Sequence, residues 1–257
     1  NLGYLSIAAH GHADMLSLTL NYNNKPFLID PGTYVYQYNK KWRDYFRSTA
    51  AHNTVSVDDQ SQSVMAGDFM WTTKADIDVQ KISLTSAYDY LKASHNGYKK
   101  QNIAVIHQRE VLFSKNNYIL VLDTLTNTDA KNHLYTLNWH CDYRCSVDKS
   151  DNIVTFKKDG ESLYLTLLSD RDLKTKLING SESTLLGWQS ERFDQKISTS
   201  TIHTQINSSK NAYFITLISF EEPAQSLTYK EKTFSFQVKD QQWSFKLDNL
   251  LNKLERG

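Results

Sequence analysis

Apolar and polar residues alternate in short runs along most of this chain. Residues 16–22 alternate as a half-buried strand does, and residues 25–29 return after a tight turn at Asn23-Asn24. Pro31-Gly32 sets a second turn. Tyr34, Tyr36 and Tyr38 share one face if that piece is extended. Residues 40–47 mix charged and aromatic side chains without a clean period and read as a loop. Residues 53–57 form a short strand that turns at Asp58-Asp59.

The alternation continues. It is weak over residues 75–84 and strongest in a hairpin of residues 103–113 and 118–125. Further strands are expected over residues 133–139, 153–156, 163–168, 199–206, 212–220, 233–238 and 243–247. Turn signals such as Lys158-Asp159-Gly160 separate them. Only residues 248–256 look helical. Many short strands with regular turns predict an all-β fold, a large antiparallel β-sandwich forming a single domain over residues 1–257.

Composition changes this picture little. Hydrophobic residues make up 40% and aromatics 12% of the 257 residues, enough for one sizeable core. A net charge of +1 gives no global attraction to nucleic acid or to an anionic membrane. No run nears the roughly 18 to 20 apolar residues of a membrane span. No signal-peptide pattern and no initiator Met is present, and the first residues run straight into a dense motif. The expectation is a fragment whose N-terminal part is missing. Cys141 and Cys145 form no disulfide framework. On one strand their Cα atoms would stand roughly 13 Å apart, beyond a bridge, although a loop between them would allow one.

Candidate chemistry concentrates between His10 and Asn53. His10 and His12 are two residues apart and share a face in extended chain. With Asp30 at a strand end and His52 before the next strand, they make a metal-ligand set of the nitrogen and carboxylate kind that zinc accepts. The plainer alternative is turn or surface histidines and an Asp capping the Pro31 turn. Arg43 and Arg47 suit uronate or sulfate groups through their planar guanidinium, or else surface salt bridges. Trp42, Trp71, Trp139 and Trp243 fill the core or else stack on sugar rings, and Trp42 is the best candidate for stacking. Asn53 orients a ligand or the loop, or starts the strand. His107 and Arg109 share a strand face and read as structural, His95 and Tyr98 as turn residues. His133, His140 and His203 show no partner pattern, and Trp188 reads as packing.

Several motifs occur together in one order: His10-Gly-His-Ala-Asp14, Leu28-Ile-Asp-Pro-Gly32, the run from Arg47 to Val57, His95-Asn-Gly-Tyr98, His107-Gln-Arg109, Val121-Leu-Asp123 and Gly187-Trp-Gln-Ser190. From His10 to about Phe220 the chain resembles the C-terminal domain of the heparinase II/III-like polysaccharide lyases. The resemblance implies a β-sandwich that follows an N-terminal α/α-toroid, which this chain lacks. It implies cleavage of a uronic-acid polysaccharide by β-elimination, with an acidic polysaccharide and the toroid as partners. It makes His12, Asp30 and His52 the ligands of a metal, zinc or another divalent ion, and His10 the catalytic histidine. Arg43, Arg47, Asn53 and Trp42 are then expected at the substrate. The catalytic Tyr and an Asn or His would come from the toroid, so the chain alone is expected to be inactive. A periplasmic or secreted location is implied as well. The alternative is a non-catalytic carbohydrate-binding domain serving polysaccharide biosynthesis or export.

Overall fold

A computed structural model describes residues 8–115, 117–247 and 250. The expected helix at residues 248–256 lies, apart from Leu250, outside the described residues. Two antiparallel sheets form the sandwich. The larger has eight strands in the order Ser146–Ser150, Ile153–Lys158, Glu161–Leu168, Ala212–Phe220, Tyr118–Asn127, Val105–Ser114, Tyr88–His95, Ile77–Leu84. The smaller has four: Lys174–Asn179, Ser200–Ser208, His133–His140 and Val55–Val57.

Between them lies the main core. The large sheet contributes Val105, Val121, Leu125, Leu165, Phe214 and Ile218, and the small one Val55, Val57, Tyr135, Leu137, Trp139 and Ile202. Fully burying one such aliphatic side chain is worth about 1.5–3 kcal/mol. The central strands of the large sheet are apolar on both faces, because a third layer covers the outer face. Its strands are Gln225–Lys230, Thr233–Val238 and Gln241–Lys246. Phe234, Phe236 and Phe245 pack there against Leu120, Leu122, Ile215 and Leu217. No helix among the described residues is long and apolar enough to cross a membrane.

Two local expectations change, and the cysteines stay unbridged as expected. Residues 16–19 are not strand: Leu16 has φ 64° and gives its carbonyl to Arg109, so the strand is only Leu20–Tyr22. Cys141 and Cys145 are free thiols, the first fully buried. Most importantly, residues 40–47 are not a loop but the α-helix Lys40–Arg47. Asn39 caps it by accepting the Trp42 N–H, and the Ser48 hydroxyl satisfies the Tyr45 carbonyl. Trp42, Tyr45 and Phe46 bury one stripe against Val35, Ala51 and Leu186. Arg43 and Arg47 bury a second face, which hides the helical period in the sequence.

Candidate metal centre

The site grows from three peptide segments held together by hydrogen bonds. The first carries His12, Ala13 and Asp14. The Ala13 N–H donates to the Arg47 carbonyl (2.8 Å), and its carbonyl accepts from Thr49 Oγ1 (2.7 Å) and Gln62 Nε2 (2.7 Å). Ala13 is thereby pinned, and the side chains on either side of it meet the same group of donors. The second segment leaves the strand Lys25–Leu28. Ile29 N–H donates to the His140 carbonyl, and Asp30 Oδ1 accepts the Gly32 N–H at 2.8 Å. Gly32 has φ +87°, and a Cβ there would stand 2.1 Å from the Ser190 carbonyl oxygen, so the turn needs glycine. The third segment is the 3-10 turn Thr49–Ala51, which ends at His52.

His52 is fully buried, and its Nδ1–H donates to the Ser48 carbonyl at 2.7 Å. That bond selects the tautomer with a free lone pair on Nε2, the arrangement found behind metal-binding imidazoles. His52 Nε2 faces His12 Nδ1 at 3.1 Å and Asp30 Oδ2 at 3.5 Å. One ligand atom each from His12, Asp14, Asp30 and His52 lies within 4.8 Å of all the others. His12 Nε2 is buried without a hydrogen-bond partner. Burial first, and then His52, lowers the His12 pKa to about 4, so the ring is neutral and one of its nitrogens keeps a lone pair for a ligand bond. Burial raises the Asp14 carboxyl against the pull of His52. Two imidazoles and two carboxylates form the mixed nitrogen and oxygen set that zinc takes at four-coordinate sites, and two carboxylates balance a divalent charge.

The structure thus brings together the three expected ligands, His12, Asp30 and His52, and adds Asp14. Asp14 was legible in the sequence: it stands two residues from His12, the same spacing that paired His10 with His12. His10 points elsewhere. It is exposed and meets the Tyr36 ring edge-on, with centroids 5.4 Å apart.

The side chains expected at the substrate lie in the interior instead. Asn53 is fully buried and donates to the Leu18 and Ile29 carbonyls at 2.7 and 3.0 Å, while its Oδ1 accepts the His140 N–H at 2.6 Å. It clamps the chain next to His52. Arg43 donates to the Ala9 and Asp68 carbonyls, and Arg47 donates to the Gly67 carbonyl with its guanidinium 4.5 Å from the centre of the Trp71 ring. Burial lowers both arginines, Arg47 to about 10. Trp42 is 6% exposed, edge-on to Trp188 and capped by the Lys196 ammonium at 4.1 Å.

Behind the site a second titratable cluster closes on itself. Arg109 makes a two-pronged pair with Asp123 (2.7 and 2.9 Å) and also donates to the Leu16 and Asn53 carbonyls at 2.7 and 2.5 Å. His95 Nδ1 accepts the Gly97 N–H, its Nε2–H donates to His107 Nδ1, and His107 Nε2–H donates to Asp123. This bears out the structural reading of His107 and Arg109. His95, read as a turn residue, is the last residue of the strand Tyr88–His95.

Comparison with known proteins agrees with this architecture. Residues 1–236 match the heparinase II/III-like, C-terminal family. A heparin-sulfate lyase of Pedobacter heparinus is 24% identical over 180 residues, which cover 68% of this chain and 24% of the relative. The solved heparan sulfate lyase HepC from Pedobacter heparinus superposes with a TM-score of 0.73 at 19% identity, covering 91% of this chain and 36% of that one. A solved heparinase III gives a TM-score of 0.72 at 16% identity, covering 93% of this chain and 37% of that one. The chain therefore spans about a quarter of the curated relative and little more than a third of the solved ones. It belongs to the heparinase II/III-like, C-terminal family.

Proposed function

We propose that this chain is the β-sandwich part of a polysaccharide lyase that cleaves a uronic-acid-containing polysaccharide by β-elimination. The observation that carries this reading is an exposed His10 two residues from His12, whose ring belongs to the four-donor cluster with Asp14, Asp30 and His52. In β-elimination the proton on carbon-5 of the uronate leaves to a base. Its electron pair forms the carbon-4 to carbon-5 double bond, and the bond from carbon-4 to the glycosidic oxygen breaks. His10 serves as the substrate-facing base, a role imidazole suits near neutral pH. His12, Asp14, Asp30 and His52 hold a divalent cation, zinc being the best match to their chemistry. Such an ion supplies fixed positive charge beside the site and ties the three segments together. Asn53 and the Ser48 carbonyl orient His52 for this.

The leaving oxygen takes its proton from a group outside this chain, in an N-terminal toroid that completes the cleft. The names and greater length of the relatives support this reading. The test has two parts. Purified chain should carry a bound divalent metal. Unsaturated uronate, followed by its ultraviolet absorbance, should form from heparan sulfate, chondroitin sulfate or alginate only when the toroid is joined. In that longer protein His10→Gln should cut turnover about 100-fold or more. Robust turnover by the 257-residue chain alone would sink the division of labour.

A further inference from the structure

An exposed aromatic group beside His10 is used by nothing described so far. Its parts come from two distant stretches. One is the loop carrying Tyr34, Tyr36 and Tyr38. The other is the tip of the hairpin formed by Trp188–Arg192 and Gln195–Ser198. Phe193 at that tip is 58% exposed and Tyr38 73%, unusual for aromatic residues of a packed sandwich. Phe193 stacks on Tyr36 with centroids 6.1 Å apart and meets Tyr38 edge-on at 6.5 Å. The other neighbours of Tyr36 are His10 at its edge and the Arg43 guanidinium, 5.1 Å from its ring centre. The buried Arg43 therefore props the group from beneath.

The arrangement is held deliberately. Tyr34 and Tyr38 have φ of 63° and 52°, a region bulky side chains rarely occupy, and Asp194 at the hairpin tip has 58°. Asp194 N–H donates to the Tyr34 carbonyl and Ser190 N–H to the Pro31 carbonyl, which ties the hairpin to the turn that carries Asp30. Between the two pieces is a cavity of about 260 Å³ lined by Thr33, Tyr34, Tyr36, Ser190, Glu191, Arg192 and Phe193. That is below the roughly 300–1,000 Å³ of ordinary small-molecule pockets and suits a single ring. Glu191 is engaged by Arg144, whereas Arg192 pairs with no carboxylate among the described residues.

We propose that Tyr36, Tyr38 and Phe193 form a saccharide-stacking subsite beside His10, with Arg192 meeting an acidic substituent of the bound sugar. One face of a pyranose ring is C–H bonds, which pack on aromatic rings. Its rim is hydroxyls and, in a uronate, a carboxylate, which suit the hydroxyl and guanidinium walls. These residues position the glycan and take no part in proton transfer. The proposal rests on the polysaccharide reading above and names the surface that grips the substrate.

The test is calorimetric titration of the whole chain with hexasaccharides of heparan sulfate, chondroitin sulfate and alginate. At least one should bind. Phe193→Ala and Tyr38→Ala should weaken it fivefold or more, Phe193→Trp should restore it, and metal content should be unchanged in all three. Arg192→Gln should weaken an acidic hexasaccharide further than a neutral cello-oligosaccharide. Binding by Phe193→Ala equal to that of the parent overturns the subsite and leaves the tip as a contact for polypeptide. So does failure of the parent chain to bind any of the three. Neither result touches the metal and turnover tests of the lyase reading.

Discussion

Two clusters of histidine and aspartate lie on either side of Asn53, and they solve the same electrostatic problem differently. In the inner one, His95, His107, Asp123 and Arg109 are all buried. Its carboxylate is neutralised by a guanidinium of the same chain, and its imidazoles are linked by N–H donors of defined tautomer. In the outer one, two carboxylates and two imidazoles converge with no Lys or Arg paired to Asp14 or Asp30 among the described residues. A buried His12 nitrogen there has no partner. A cluster with its own cation is architecture. A cluster that gathers donors without one has the chemistry to take a cation, and the metal proposal rests on that contrast.

The largest expected effect breaks the inner cluster. Arg109→Ala leaves the buried Asp123 carboxylate without its guanidinium, held by the His107 N–H alone, and should cost about 3–5 kcal/mol in denaturant unfolding. A loss below about 1 kcal/mol would mean that the two clusters are not different in kind.

The outer cluster should respond to metal rather than to packing. His52→Ala should abolish metal retention and lower stability by about 1–3 kcal/mol, through the lost hydrogen bond to the Ser48 carbonyl and the space left by a fully buried ring. Asp14→Asn should weaken retention as well. A chelator should lower the melting temperature of the parent and leave that of His52→Ala unchanged. Equal chelator response in both proteins would remove the metal reading.

Acid should then separate the buried neutral histidines from His133, which has two carboxylate partners. Burial lowers His95 and His107, and lowers His140 to about 3. Below the unfolded value of about 6.5 the unfolded chain binds protons these rings refuse, so stability falls as pH falls. His133 is opposite. Burial opposes its charging, but hydrogen bonds to Asp58 and Asp129 outweigh that and raise it. Its contribution is present below about pH 6.5 and is lost as pH rises through its folded value. With chelator present, the urea midpoint should drop from pH 7 to pH 5, and more steeply in His133→Gln. A flat profile would contradict the buried neutral rings.

The smallest effect is expected at the surface. Phe193→Ala should change stability by no more than about 0.5 kcal/mol, since the ring is largely exposed. A larger loss would make it a packing residue and not a binding one.

Much of this was legible in the chain. The sandwich followed from period-2 patterning, because strands buried on one face or both display it directly. The hairpin Val105–Ser114 with Tyr118–Asn127 is where it was expected, and the side chains of His12, Asp30 and His52, read as a donor set, do converge. The helix Lys40–Arg47 was hidden because its second buried face is made of arginines. A guanidinium can be buried when backbone carbonyls receive it, and no local pattern announces those carbonyls at Ala9, Gly67 and Asp68. The same fact turned Arg43 and Arg47 from expected substrate contacts into interior props.

What the sequence determined by itself is the all-β patterning and the residue types of the candidate site, because both are written in local periodicity and side-chain chemistry. Tertiary structure alone decided the roles. It divided His10 from His12 and Asp14, drew Asn53 and Trp42 inside, and brought Phe193 beside Tyr36 across more than half the chain. Those outcomes depend on which distant carbonyl, ring or carboxylate each side chain meets, and convergence of that kind has no signature at short range.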